Sequence, residues 1–175
     1  RTENEDRHSR ITMYETGKGV VGTYDKQLLS PYGEYIPSSS AAFFSLMGMD
    51  EVVESSQSFR DYKKGEEEKL TVSSGIIKAG ALLCSEIVSP VLHKRMEESG
   101  AQLFINVASH ARFHESHSLF NQIQAMAKVR AVENGIPLLY AGNVAPSFIL
   151  DRYGNVTAQS EWKGNSVLKG EVEVR

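Results

Sequence analysis

The strongest constraint on the fold is an alternation in the middle of the chain: short apolar runs separated by capped, helix-length segments. Residues 79–84 and 102–107 are brief and largely apolar, the pattern of strands covered on both faces. Between them Ser89 offers an N-cap, Pro90 the first helical position and Gly100 a stop. After the second run Ser118 is placed to cap a helix reaching Asn134, ended by Gly135 and then Pro137. Ile123, Met126, Ala127 and Val129 recur at helical spacing and are expected to face a sheet. Strands alternating with helices in this order predict a layered α/β domain.

The flanks read differently. Residues 11–14 and 20–24, separated by Gly17-Lys18-Gly19, predict a β-hairpin after a polar lead-in over 1–10. Residues 70–73 and 75–78 look like strands about a turn, ahead of the strand at 79–84. Later strands are expected at 137–141, 147–151 and 156–159, with a turn at 152–155. Val172 and Val174 alternate with charge in a last strand. Residues 38–68 fit no regular element. They begin with an apolar patch that includes Phe43, Phe44, Leu46, Met47 and Met49 and end in a charged run, as a lid or a lipid-contacting loop does.

Composition narrows the function. The 175 residues suit one domain, and 41% hydrophobic with 23% charged residues is the balance of a folded chain. A net charge of −3 and a pI near 6.0 give no electrostatic case for a nucleic-acid partner. The longest apolar runs are about six residues, against about 20 for a membrane span. No leader peptide is visible. A single cysteine forbids an internal disulfide and leaves the compartment open.

That cysteine, Cys84, falls at the end of a predicted strand and just before a helix start, where α/β folds collect reactive groups. The plainer expectation is a small thiol packed in the core. Glu86, two residues on, is awkward in a core unless paired, so it argues for a polar turn. Lys26 reads by default as a solvated charge at a strand end. It gains meaning only if the fold brings it to Cys84, where an ammonium stabilises a thiolate and a developing oxyanion. Glu34 lies in a Pro- and Gly-braced turn, either a surface carboxylate or one aimed inward. His110, His114 and His117 have a spacing that can hold zinc, but no cysteine or carboxylate pattern completes such a site. No metal or cofactor is expected.

Four ordered blocks together carry a resemblance. The segment Tyr24-Asp25-Lys26-Gln27-Leu28-Leu29-Ser30-Pro31-Tyr32-Gly33-Glu34-Tyr35-Ile36-Pro37 resembles the lysine segment of the nitrilase (carbon–nitrogen hydrolase) superfamily. Leu82-Leu83-Cys84-Ser85-Glu86-Ile87 resembles its nucleophile elbow. The stretch from Ala125 to Asn134, with Pro137-Leu138-Leu139, resembles its helix and following strand. Asn143, Ser147 and Gly154 fall where the family has its Asn, its Ser/Thr and its turn glycine. The Pro-aromatic-Gly-Glu-aromatic-x-Pro version is most similar to the bacterial apolipoprotein N-acyltransferase branch.

The resemblance implies a nitrilase-like α-β-β-α sandwich, as an incomplete copy lacking the first strand–helix units. It implies a Glu–Lys–Cys triad with Cys84 as thioester-forming nucleophile, Lys26 as oxyanion stabiliser and a base Glu outside this sequence. Glu34 and Glu86 become accessory carboxylates that orient the lysine and shape the pocket; Phe113, Asn143 and Ser147 become pocket-lining candidates. For that branch the donor is a phospholipid and the acceptor a lipoprotein or other amine, at the periplasmic side of a bacterial inner membrane reached through segments outside this sequence. A cytoplasmic amidase and a non-catalytic scaffold stay open as alternatives. One segment departs from the pattern: Ala108-Ser109-His110-Ala111-Arg112-Phe113-His114 stands where the family has Ser-Asn-Asp-Ala-Trp-Phe-Gly. A second does too, where Val144-Ala145-Pro146 replaces an Asn-Gly-containing turn.

Overall fold

A computed structural model describes residues 7–60, 62–75, 77–162 and 166–174, without the side chains of 56–60 and 74. Strands β1 (Arg10–Glu15) and β2 (Gly19–Asp25) form the expected hairpin, with an irregularity between Met13 and Tyr14. Helices α1 (Ser38–Leu46) and α2 (Asp50–Arg60) follow. Next come β3 (Thr71–Ser74), β4 (Ile77–Leu83), a 3-10 turn over Cys84–Val88 and α3 (Pro90–Glu98). The chain continues through β5 (Leu103–Ser109), α4 (His117–Asn134), β6 (Leu138–Asn143), β7 (Phe148–Leu150) and β8 (Val156–Gln159). Six strands make one sheet in the order β3-β4-β5-β6-β7-β8. β4, β5 and β6 run parallel, and antiparallel strands flank them.

The period of two along a strand sorts the layers. On one face of the sheet Val72, paired with Ala79, approaches so close to Gly22 of the hairpin that an added Cβ there would lie 3.2 Å from it. On the opposite face Gly80 leaves room for Met96 of α3, and its added Cβ would meet the Met96 sulfur at 2.9 Å. The hairpin thus forms a second β layer on one side, and helices α3 and α4 cover the other. The core follows this sandwich: Leu82, Phe104, Leu138, Phe148 and Leu150 are inaccessible to solvent. Each side chain of that size contributes about 2–3 kcal/mol of burial free energy.

Several expectations change. The strands foreseen at 75–78 and 79–84 are one strand, because Gly75 at φ +57° makes the turn and leaves Ile77 onward free to run straight. Ser116, not Ser118, caps α4, its hydroxyl accepting from the Leu119 N–H at 3.3 Å. That phase turns Phe120, Ala127, Ala131 and Asn134 inward. Met126 and Val129, expected to face the sheet, are instead about half exposed. Residues 38–68, expected as a loop, contain α1 and α2. Residues 166–174, where Val172 and Val174 suggested a strand, pair with no neighbour in the sheet. Of the polar lead-in, 1–6 lie outside the described residues; Arg7 bridges to Tyr62 and Arg10 opens β1.

Candidate active site

The C-terminal edge of the parallel strands is where this fold exposes reactive groups over a rigid base. Cys84 follows β4 there, solvent-exposed and with a left-handed backbone at φ +53°. A non-glycine residue in that region carries strain that the surrounding structure must hold in place. Here the restraint is visible. The Glu86 carboxylate accepts from the Leu83 N–H at 2.8 Å, and the Asn106 amide donates to the Cys84 carbonyl at 3.3 Å. The packed-core thiol is therefore not what the fold makes.

Lys26 follows β2 and is 2% exposed, so the solvated strand-end charge is also overturned. Its ammonium donates to Glu34 Oε2 at 2.6 Å and reaches Ser30 Oγ at 3.5 Å. Glu34 is held in turn by the Ser30 N–H at 2.8 Å and the Ser9 hydroxyl at 3.1 Å. Burial pushes the Glu34 carboxyl up, but Lys26 and these donors outweigh it and hold it below the usual carboxylate range. The Ser30 hydroxyl meets the Ser85 hydroxyl at 2.9 Å, which joins the lysine cradle to the residue after Cys84.

Glu86 does a different job. Fully buried, its Oε1 accepts from Tyr24 Oη at 2.9 Å and from the N–H groups of Gln27 and Leu28 at 2.7 and 3.0 Å. With its second oxygen on Leu83, one carboxylate straps the end of β2 to the end of β4. It fixes where Lys26 stands relative to Cys84 without touching the ammonium. Desolvation raises the Glu86 carboxyl above its ordinary value against the pull of its four donors. A further brace comes from Gly65, whose N–H donates to the Lys26 carbonyl at 2.9 Å. Any Cβ there would collide with the Asp25 carbonyl.

The other candidates scatter along the same edge. Asn143 and Ser147 line a cavity of about 460 Å³ with Glu115, Glu161 and Trp162. Phe113 is half exposed and lies edge-on to His110, ring centroids 6.3 Å apart. The three histidines do not converge. His110 is buried against Tyr140, His114 is exposed, and His117 stacks on Trp162 at 3.9 Å. Among the described residues no group of three or more His, Cys, Asp or Glu is placed to hold a metal. Sequence reasoning passed over Ser30, Ser85, Tyr24, Asn106 and Tyr140, which carry no local signal because each acquires its partner only through the fold.

A family description, carbon-nitrogen hydrolase, matches residues 3–175. The chain belongs to the carbon-nitrogen hydrolase family. Among its relatives, an apolipoprotein N-acyltransferase of Geobacter metallireducens is 30% identical over 89% of this chain and 28% of its own length. One from Brucella melitensis biotype 1 is 35% identical over 86% of this chain and 27% of its own. The chain therefore spans less than a third of these relatives. A carbon-nitrogen hydrolase structure from Helicobacter pylori G27 superposes with a TM-score of 0.68 at 18% identity, covering 94% of this chain and 56% of that one. An amidase from Nesterenkonia sp. superposes at 0.56 and 20% identity, covering 83% and 48%. The carbon-nitrogen hydrolase fold, here the sheet with its hairpin layer and covering helices, is thus shared with both.

Proposed function

We propose that this chain carries the cysteine half of a thioester-forming acyltransferase active site, with Cys84 as nucleophile and Lys26 as oxyanion stabiliser. The observation that carries the reading is the exposed, strained Cys84 tied through Ser85 and Ser30 to a buried lysine–carboxylate pair. The names of the curated relatives supply the acyl-transfer chemistry. In the first step the Cys84 thiolate attacks the ester carbonyl of a phospholipid. The Lys26 ammonium and backbone N–H groups of the turn hold the oxyanion. Collapse expels the lysophospholipid alkoxide, which takes a proton, and leaves an acyl thioester on Cys84. An amine, the N-terminus of a lipoprotein, then attacks the thioester; an amide forms and the thiol is regenerated. Glu34 keeps the Lys26 ammonium aimed, and Glu86 keeps its backbone in register with the turn. The base that takes the thiol and amine protons is, on the resemblance, a Glu outside this sequence.

Helix α1 supports a lipid donor. No residue of α1 is buried, and Phe43, Leu46 and Met47 are 59, 85 and 62% exposed. Residues 38–68 thus act as a lipid-contacting cover for the site. Residues 11–175, with 38–68 among them, form the C-terminal part of a nitrilase-like catalytic domain, and Phe113, Asn143 and Ser147 line the approach to its site. No helix among the described residues is long and apolar enough to cross a membrane, so the proposed periplasmic placement at an inner membrane depends on segments outside this sequence. Intact-mass spectrometry of the full-length protein, with the segment that supplies the base Glu, after incubation with phospholipid tests the reading. The expected result is a fatty-acyl increment that vanishes in Cys84→Ala. No increment, with small amides cleaved, replaces the acyltransferase with an amidase; no increment and no cleavage replaces it with a scaffold.

A further inference from the structure

Ser30 is the residue at which the lysine cradle and the Cys84 turn meet. Its backbone is held at three points. The carbonyl accepts from the N–H groups of Gly33 and Glu34 at 3.1 and 2.9 Å, and the N–H donates to Glu34 Oε2 at 2.8 Å. None of these bonds uses the side chain. The hydroxyl is left to make two contacts of its own, with Lys26 Nζ at 3.5 Å and with Ser85 Oγ at 2.9 Å. Glu86 ties the backbone ends of β2 and β4 together but does not touch the ammonium. A lysine head stands on a flexible four-carbon stem, so backbone register alone does not fix where Nζ points.

An ammonium has three N–H groups and accepts nothing. One of those of Lys26 goes to Glu34 Oε2 at 2.6 Å, and among the described residues Ser30 Oγ is its one other acceptor. Held by Glu34 alone, the head can turn about that bond. A second anchor stops the rotation and fixes the heading of the third N–H, which is left for a substrate oxygen. Because the ammonium only donates, Ser30 Oγ accepts from it and keeps its own proton for Ser85 Oγ. Ser85 is exposed and directly follows Cys84, whose φ of +53° needs restraint from its surroundings. One hydroxyl thus sets the heading of the ammonium and braces the turn that carries the thiol.

We propose that Ser30 is a positioning residue for the acylation of Cys84, its hydroxyl aligning the Lys26 ammonium with the Cys84 turn through Ser85. This rests on the reading above, in which Lys26 holds the oxyanion formed at Cys84. Ser30 itself makes and breaks no bond to substrate; it acts through Lys26 and Ser85.

The test is a double-mutant cycle on the full-length protein, with the segment that supplies the base Glu. The probe is p-nitrophenyl butyrate. Attack by the Cys84 thiolate expels p-nitrophenolate and leaves a butyryl thioester, so the nitrophenolate burst gives the acylation rate. Ser30→Ala should slow acylation about tenfold at saturating ester and leave the half-saturating concentration unchanged. Ser85→Ala, which spares the contact between Lys26 and Ser30, should slow it about threefold. Both remove the same bond, so the double variant should be no slower than Ser30→Ala. Ser30→Thr keeps the hydroxyl and should restore the rate. Native rates in both single variants overturn the proposal, as do effects that multiply in the double variant or the absence of a burst from the native protein. Should Ser30→Ala not fold by near-UV circular dichroism, a native rate in Ser85→Ala, a change at an exposed position, overturns it instead. The ester needs no phospholipid, so the two readings fail separately. A coupled cycle in a protein that never takes up a fatty-acyl group keeps this inference and removes the acyltransferase. Fatty-acyl uptake with an uncoupled cycle does the reverse.

Discussion

The cradle around Lys26 and the α1–α2 arm are near neighbours in sequence and opposites in physics. In the cradle, Lys26 and Glu86 are buried, Glu34 is partly so, and each of the three charged groups has specific partners. In the arm, α1 has no buried residue, and its Phe43 and Leu46 face outward. Buried charge is tolerable only when its hydrogen bonds are satisfied, so the cradle is rigid by necessity. Exposed apolar surface costs little structure to rearrange, so the arm is free to meet another apolar surface. The acyl-transfer reading proposed above would use both: fixed charges at the reacting carbonyl and an adaptable greasy cover.

The largest effect should come from breaking the cradle's strap. Glu86→Ala strands four donors, three of them backbone N–H groups, and should destabilise the chain by about 4 kcal/mol in urea unfolding. A loss below about 1 kcal/mol would mean that water replaces the carboxylate and that the strap is not what fixes Lys26. Next, Lys26→Met leaves Glu34 without its ion pair and should slow thioester formation on Cys84 at least about a hundredfold, followed by intact mass. An unchanged rate would remove Lys26 from the oxyanion role.

A smaller effect should appear with pH. His93, buried in α3 with Nδ1 on the Ser89 carbonyl, is pushed down to about 4, chiefly by desolvation. In the unfolded chain a histidine titrates near 6.5. Between those values the unfolded state binds the extra proton, so stability falls as pH falls, by up to about 3 kcal/mol. Glu34, held low, acts in the same sense at more acidic pH, its contribution being lost as pH drops through its folded value. Glu86, held high, acts oppositely: it favours the folded state at low pH and loses that contribution as pH rises. Urea melts at about pH 7 and about pH 4.5, with His93→Gln flattening the slope, check the assignment.

The smallest effect on stability belongs to the arm. Phe43→Ser with Leu46→Ser should change the unfolding free energy by no more than about 0.5 kcal/mol. The same double variant should lower binding to phospholipid vesicles severalfold in co-sedimentation. Destabilisation comparable to Glu86→Ala would show that α1 packs rather than waits, and would erase the contrast between the two regions.

The sequence alone determined the order of elements, the helix start at Ser89-Pro90, the hairpin, and the strand end that carries Cys84, because caps, turns and apolar runs are local signals. It also carried the Lys26 and Cys84 blocks that mark the family. What it could not determine were distances through space. Only the tertiary structure decided that Lys26 is buried on Glu34, that Glu86 straps two strand ends together, and that the three histidines part company. Helix phase was decided there as well. Ser116 and Ser118 are equally good caps by residue type, and the choice fell to the one that turns Phe120 and Ala127 into the core. Residues 38–68 were illegible for the same reason: with no buried face, α1 writes no inward-facing period into the sequence. A residue's chemistry is local, but its environment is set by whichever segments the fold brings against it.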